Sequence, residues 1–167
     1  MNEVMRDRLD QRFQAYVRHG WTHFQAREYR EALDRFVLAD SLDREQPDAK
    51  RGVVLSAIAA SQFALAERAS AAWIQCDPEL LDWVADVSRV YGDQNDYAQH
   101  FGYFEAYAAA NPSREGEALR AIVLWGRGDP TGARQAADRA ADGQSPDSPY
   151  AVLAKKIRDA SSRSRTP

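Results

Sequence analysis

Few residues in this chain have the types and spacing that chemistry requires. His19 and His23 stand four apart on one helical face, a spacing at which two imidazoles can share a metal ion. The stretch reads "HGWTH", without the Glu of a zinc-protease motif and without a third ligand, so both histidines are expected to pack between helices. His100 reads the same way. Cys76 is the single cysteine, and its neighbours Asp77 and Glu79 are acidic, the opposite of the electropositive setting that makes a thiolate. "GRGD" at 126–129 contains a tripeptide that adhesion receptors read, but Gly-Asp is also a common solution for a turn between helices, and the turn is expected here. There is no phosphate-cradling Gly-rich loop and no nucleophile elbow. The sequence therefore assigns no catalytic, cofactor-binding or metal site, and it does not read as an enzyme.

Composition narrows the partners. Twenty-two Lys and Arg face 25 Asp and Glu, a formal net charge of −3, which gives no electrostatic reason to expect nucleic acid or an anionic membrane. The longest apolar run, "VVLSAIAASQFALA", is broken by Ser and Gln and does not read as a membrane span. "MNEVMRDRLDQRF" is charged throughout and lacks the apolar centre of a secretory leader. One cysteine excludes an internal disulfide framework and fits a reducing, cytoplasmic setting.

The elements that must position any site are helices. Apolar residues recur at helical spacing almost everywhere, Ala is abundant, and "GVVL" is the only β-branched run, itself continuing into helical spacing. Breaks fall at "DREQPD", "CDPE", "GDQND", "NPSREG", "GRGDPTG" and "DGQSPDSP", each holding residues that stop one helix and start another. Within "EYREALDRFVLADSLD" the apolar face of Tyr29, Leu33, Phe36, Leu38 and Leu42 is interrupted by Ala32 and Ala39. Small residues on a packing face imply that another backbone comes close.

A repeat underlies that pattern. Pro78, Pro112 and Pro146 lie 34 residues apart (112 − 78 and 146 − 112). The same step carries Tyr29 to Phe63 and Tyr97, and Ala32 to Ala66. A 34-residue period with two helices per unit resembles the tetratricopeptide repeat (TPR) family, and the first unit carries the motif best in Tyr16, Gly20, Tyr29, Ala32, Phe36 and Ala39. Later units depart from it. Trp73 stands where Ala39 does, His100 and Tyr107 occupy small sites, and Gly128, Ala133, Ala137 and Ala140 match after a one-residue shift. The resemblance implies an all-α, right-handed solenoid of antiparallel helix pairs. Its expected parts are a helical lead-in over 1–12, four helix pairs over 13–148, a capping helix over 149–161 with Ser148 as its cap, and a disordered tail over 162–167. Ala32 is expected to face the first helix of its own unit, and Ala39 that of the next.

Such a stack implies a concave groove lined by the first helix of each pair. On the first helix the outward set is Val17, Trp21 and Phe24. The repeat step gives Arg51, Leu55 and Ile58, then Arg89, then Leu119 and Val123. These residues are the expected partner-binding groove, suited to a protein or peptide segment with an apolar stripe and a carboxylate. The Lys/Asn carboxylate clamp of heat-shock co-chaperones is missing: the asparagines are Asn2, Asn95 and Asn111, and the lysines are Lys50, Lys155 and Lys156. The implied function is a protein-interaction module: an adaptor, chaperone or assembly factor, with bacterial origin suggested by the Ala and Arg content. The alternatives are a self-associating scaffold, hence a homo-oligomer, and a protein resembling the small TPR chaperones of type III secretion translocators.

Overall fold

The computed structural model describes residues 3–163. Among them all regular structure is helical: α1 (Glu3–Gln25), α2 (Tyr29–Leu42), α3 (Pro47–Ala59), α4 (Phe63–Cys76), α5 (Leu80–Ala85), a 3₁₀ turn (Val87–Val90), α6 (Gln94–Ala110), α7 (Arg114–Gly126), α8 (Pro130–Ala141) and α9 (Pro149–Arg163). The all-α expectation holds for these residues. The capping helix runs to Arg163 rather than ending at 161. The remainder of the expected tail, 164–167, and the first two residues of the lead-in lie outside the described residues.

Local chemistry sets the ends. Ser113 accepts a hydrogen bond from the Gly116 amide (2.9 Å), Asp129 from Gly132 (2.8 Å) and Ser148 from Ala151 (3.2 Å), which starts α7, α8 and α9. Pro47 and Pro130 occupy first-turn positions where a missing N–H has no consequence. Three helix pairs close through one and the same turn. Arg27 (φ 66°), Ser61 (φ 59°) and Gly128 (φ 76°) are left-handed. At each of them one amide bonds three residues back and the next amide five residues back: Arg27 to Phe24 and Glu28 to His23, Ser61 to Ile58 and Gln62 to Ala57, Gly128 to Trp125 and Asp129 to Leu124. Arg27 and Ser61 are one 34-residue period apart (61 − 27), and Gly128 follows 67 later (128 − 61), one short of two periods. "GRGD" is thus the α7–α8 turn, with Asp129 capping α8.

Helices adjacent in sequence pack side by side: α1 on α2, α2 on α3, α3 on α4, α7 on α8 and α8 on α9. The central helix is α3, buried at every position from Ala49 to Ala59: residues 52–59 are apolar save for Ser56, and Lys50 and Arg51 are buried in pairs with the carboxylates of Asp40 and Asp77. Ala32 and Ala39 are fully buried. The tightest approach centres on Phe36, whose ring lies between Gly20 of α1 and Gly52 of α3. A Cβ added at Gly20 would fall 2.7 Å from that ring, and one at Gly52 would fall closer still.

The third pair departs from the unit. Instead of a full first helix there are only the six residues of α5 and the 3₁₀ turn, and α4 finds its main neighbours in α3, α7 and α9. Bulk explains this. Where the first unit offers Ala39, α4 offers the fully buried indole of Trp73, so the next helix cannot settle against it at backbone distance. α6 instead reaches back to the starts of α2 and α4. His100 meets Tyr29 edge-on (4.8 Å between rings), and Tyr107 and Phe104 meet Phe63 (5.0 and 6.0 Å).

Candidate functional site

The face formed by α1, α3 and α7 is the candidate site, and it is not open. Of the residues expected to line a groove, Val17, Phe24, Leu55, Ile58, Leu119 and Val123 are all buried, and Arg51 is only 9% exposed. Trp21 is half-buried. Arg89 stands apart, exposed on the 3₁₀ turn beside Asp86 (3.4 Å). The chain's own segment from Asp77 to Tyr91, together with Phe101 of α6, lies against this face.

The filling is close. Val84 and Val87 share with Leu55, Ile58, Phe101, Leu119, Ile122 and Val123 the lining of a cavity of about 10 Å³, at the lower limit for one water. A Cβ at Gly126 would fall 2.8 Å from Val84, so α5 and α7 touch at backbone distance. Trp83 joins three helices: its ring lies 6.1 Å from Trp21 on α1 and 5.9 Å from Trp73 on α4, with the Arg51 guanidinium of α3 5.0 Å from its centroid. The Trp125 indole N–H donates to the Leu81 carbonyl (3.1 Å).

Each end of the segment is fixed by a buried carboxylate. At the near end Arg51 grips Asp77 with two parallel bonds, Nε to Oδ2 (2.8 Å) and Nη2 to Oδ1 (2.9 Å), while the Trp73 indole donates to Oδ2 (2.7 Å) and the Glu79 amide to Oδ1 (3.0 Å). Lys156 of α9 donates to the Asp77 carbonyl (2.8 Å). Burial alone would push the Asp77 carboxyl up, but the bonds from Arg51 and Trp73 and the Arg51 charge outweigh it and hold it below the ordinary carboxylate range. At the far end Tyr91 is buried against Phe24 (4.8 Å between rings). Just beyond it, Asp96 takes Tyr29 Oη (2.5 Å) and Arg27 (Nε, 2.7 Å; Nη2, 2.9 Å). The Tyr29 hydrogen bond, with the Arg27 charge adding to it against partial burial, keeps Asp96 ionised to low pH.

No family model and no curated protein matches this chain. Its reading therefore rests on geometry. Among the described residues no group of His, Cys, Asp and Glu could hold a metal ion, and no helix is long and apolar enough to cross a membrane. His19 is exposed rather than packed between helices, and His23 pairs with Glu28 (2.5 Å). Burial pushes the Cys76 thiol up, with Asp77 and Asp40 adding to it against Lys50. Sequence reasoning took Asp77 only as an acidic neighbour of that thiol and passed over Trp83 and Asp96. The available signal was Arg51 at the edge of the apolar run 52–59: a cation buried there needs acidic partners, and besides Asp48 on its own helix Asp77 closes the helix that follows.

Proposed function

We propose that this chain is a protein-interaction module of the TPR type, an adaptor, chaperone or assembly factor whose inner face accepts an amphipathic segment of another protein. The observation that carries the reading is the seating of Asp77–Tyr91: an apolar stripe preceded by a carboxylate, lying across α1, α3 and α7 with the carboxylate on Arg51. A surface that accepts that pattern from its own chain has the shape and charge to accept it from another. The recurring turn at Arg27 and Ser61, in phase with the 34-residue repeat, supports the TPR assignment. The lone Cys76 suits a reducing compartment such as the cytoplasm. The test is affinity capture by the full chain, read by mass spectrometry, followed by hydrogen exchange on the captured complex. Protection should appear on the inner-face helices α1, α3 and α7; protection confined to the outer faces of α2 and α8 would overturn the reading.

Self-association is the second reading, favoured by the first turns of α1. There Met5 is 58% exposed and Leu9 half-exposed among Arg6, Asp7, Arg8, Asp10 and Arg12, an alternating pattern that a second copy could match. Light scattering at several concentrations separates the readings, since only a scaffold gains mass with concentration.

A further inference from the structure

The framework around the inner face closes without the segment that fills it. α4 packs directly on α7 and α9, so helices 1–4 and 7–9 stay in contact by a route that bypasses α5 and the 3₁₀ turn. The bypassed segment is intrinsically weak: a six-residue helix followed by a four-residue 3₁₀ turn is far below the ~12–15 residues that an isolated helix needs in water. Its order comes from what it touches. Its near flank is exposed at Pro78 and Glu79, while at the far flank Gly92 lies against the Gln25 carbonyl at the end of α1. Beyond the flanks sit Asp77 on Arg51, the pair that exchange must break, and Asp96 on Arg27 and Tyr29, which tethers the far end.

We infer that Asp77–Tyr91 is an exchangeable occupant of the inner face, and that the partner segment replacing it is an amphipathic helix carrying the same code: a carboxylate followed at three to four, seven and ten positions by apolar residues, as Asp77 is followed by Leu80, Leu81, Val84 and Val87. The inference rests on the interaction-module reading and names the ligand chemistry of that surface. The face exposed by exchange holds Trp21, Leu55, Ile58, Leu119 and Val123, with Arg51 at its edge once released from Asp77. The apolar anchors supply affinity. The bidentate Arg51 site fixes direction and register, because an incoming segment without a carboxylate leaves the buried guanidinium with only the exposed Asp48 (3.0 Å) as partner. The internal segment thus sets a threshold: only a ligand that reproduces both its stripe and its charge displaces it.

The probe is a labelled synthetic peptide with the sequence of residues 77–91, read by fluorescence anisotropy against the full chain and against the variant Val84→Asp/Val87→Asp, which ejects the internal copy and leaves the face intact. The peptide should bind the variant with a Kd at least about tenfold tighter than the parent, and a peptide carrying Asp77→Ala should lose about tenfold or more on the same variant. A variant with parental helicity that binds the peptide no better than the parent does overturns the inference. A second measurement needs no substitution: in the unmodified chain, amides of 80–91 should exchange at least about tenfold faster than those of α3 and α7, and exchange in step with those helices overturns it. Neither measurement contains a foreign protein, so an empty affinity capture counts against the interaction reading alone.

Discussion

Gly52→Ala tests whether α3 lies as close to its neighbours as the geometry says. A Cβ built there falls 2.2–2.3 Å from three atoms of the Phe36 ring, whereas carbon atoms rest at about 3.5–4.0 Å, so the ring must retreat by more than about 1 Å. It has nowhere to go. On its far side the ring already lies against Gly20 of α1, where a Cβ would fall 2.7 Å away, and the Trp21 ring stands 4.8 Å off. Two effects oppose each other. Replacing Gly by Ala inside a helix gains about 1 kcal/mol of propensity, while overpacking a core costs about 1–3 kcal/mol and more when no neighbour yields. Overpacking wins here, and the net loss should be about 1–2 kcal/mol, lowering Tm by roughly 3–8 °C. Urea unfolding followed by circular dichroism should show a lower midpoint with an unchanged slope. Gly102→Ala on the exposed side of α6, where nothing lies within 4 Å, is the matched control and should gain about 0.5–1 kcal/mol. In the double variant Gly52→Ala/Phe36→Leu the two losses should sum to more than the measured loss, because the smaller side chain relieves the clash. If Gly52→Ala gains stability as Gly102→Ala does, the packing of α3 on α2 described here is wrong.

Further outcomes follow from the buried carboxylates. Asp77→Ala strips Arg51 of its bidentate partner in the core and should lower stability at neutral pH by about 3–5 kcal/mol, measured by urea unfolding. Because the Asp77 pKa is depressed in the folded chain, its contribution is present above the ordinary carboxylate value and is lost as pH falls through the folded one, so parent and variant curves should converge in acid. Glu67 behaves in the opposite sense: burial pushes its carboxyl up, helped by Glu115 against the Ser113 hydrogen bond. A raised folded pKa gives stability below the ordinary value that disappears as pH rises through the folded one. Glu67→Gln should therefore raise the urea midpoint near neutral pH and give no gain below about pH 4, and a variant less stable than the parent at neutral pH refutes that sign.

The helices and their ends were legible because they follow from local chemistry. Ser148 caps α9, "GRGD" makes a turn, and every proline-bearing break in the sequence falls between helices. The first two pairs were legible because Gly20, Ala32, Phe36 and Ala39 stand in the positions that close packing demands. The third pair was not. Whether a helix docks at Trp73 depends on where an indole of that size can go, and its place is set by Asp77 at the end of its own helix and by Trp83 of α5, itself under the Arg51 guanidinium of α3. The apolar set Val17, Phe24, Leu55, Ile58, Leu119 and Val123 is buried. Its occupant escaped notice because periodicity shows which residues share a face and is silent on what lies across it.

The reach of α6 has a consequence for how the chain folds and varies. In a simple array each unit touches only its neighbours, so units can be added or removed and folding can begin anywhere. Here Asp96 bonds residues 69 and 67 positions earlier, at Arg27 and Tyr29, and Lys156 bonds Asp77 from 79 positions later. Such contacts raise the contact order well above that of an open solenoid, so loops must close before they are rewarded, and folding should be slower and all-or-none. Insertion or deletion of a 34-residue unit, which an open array tolerates, would here separate the Asp96 carboxylate from Arg27 and Tyr29, or the Asp77 backbone carbonyl from Lys156. The sequence has the rhythm of a repeat, but the chain is committed to a single length.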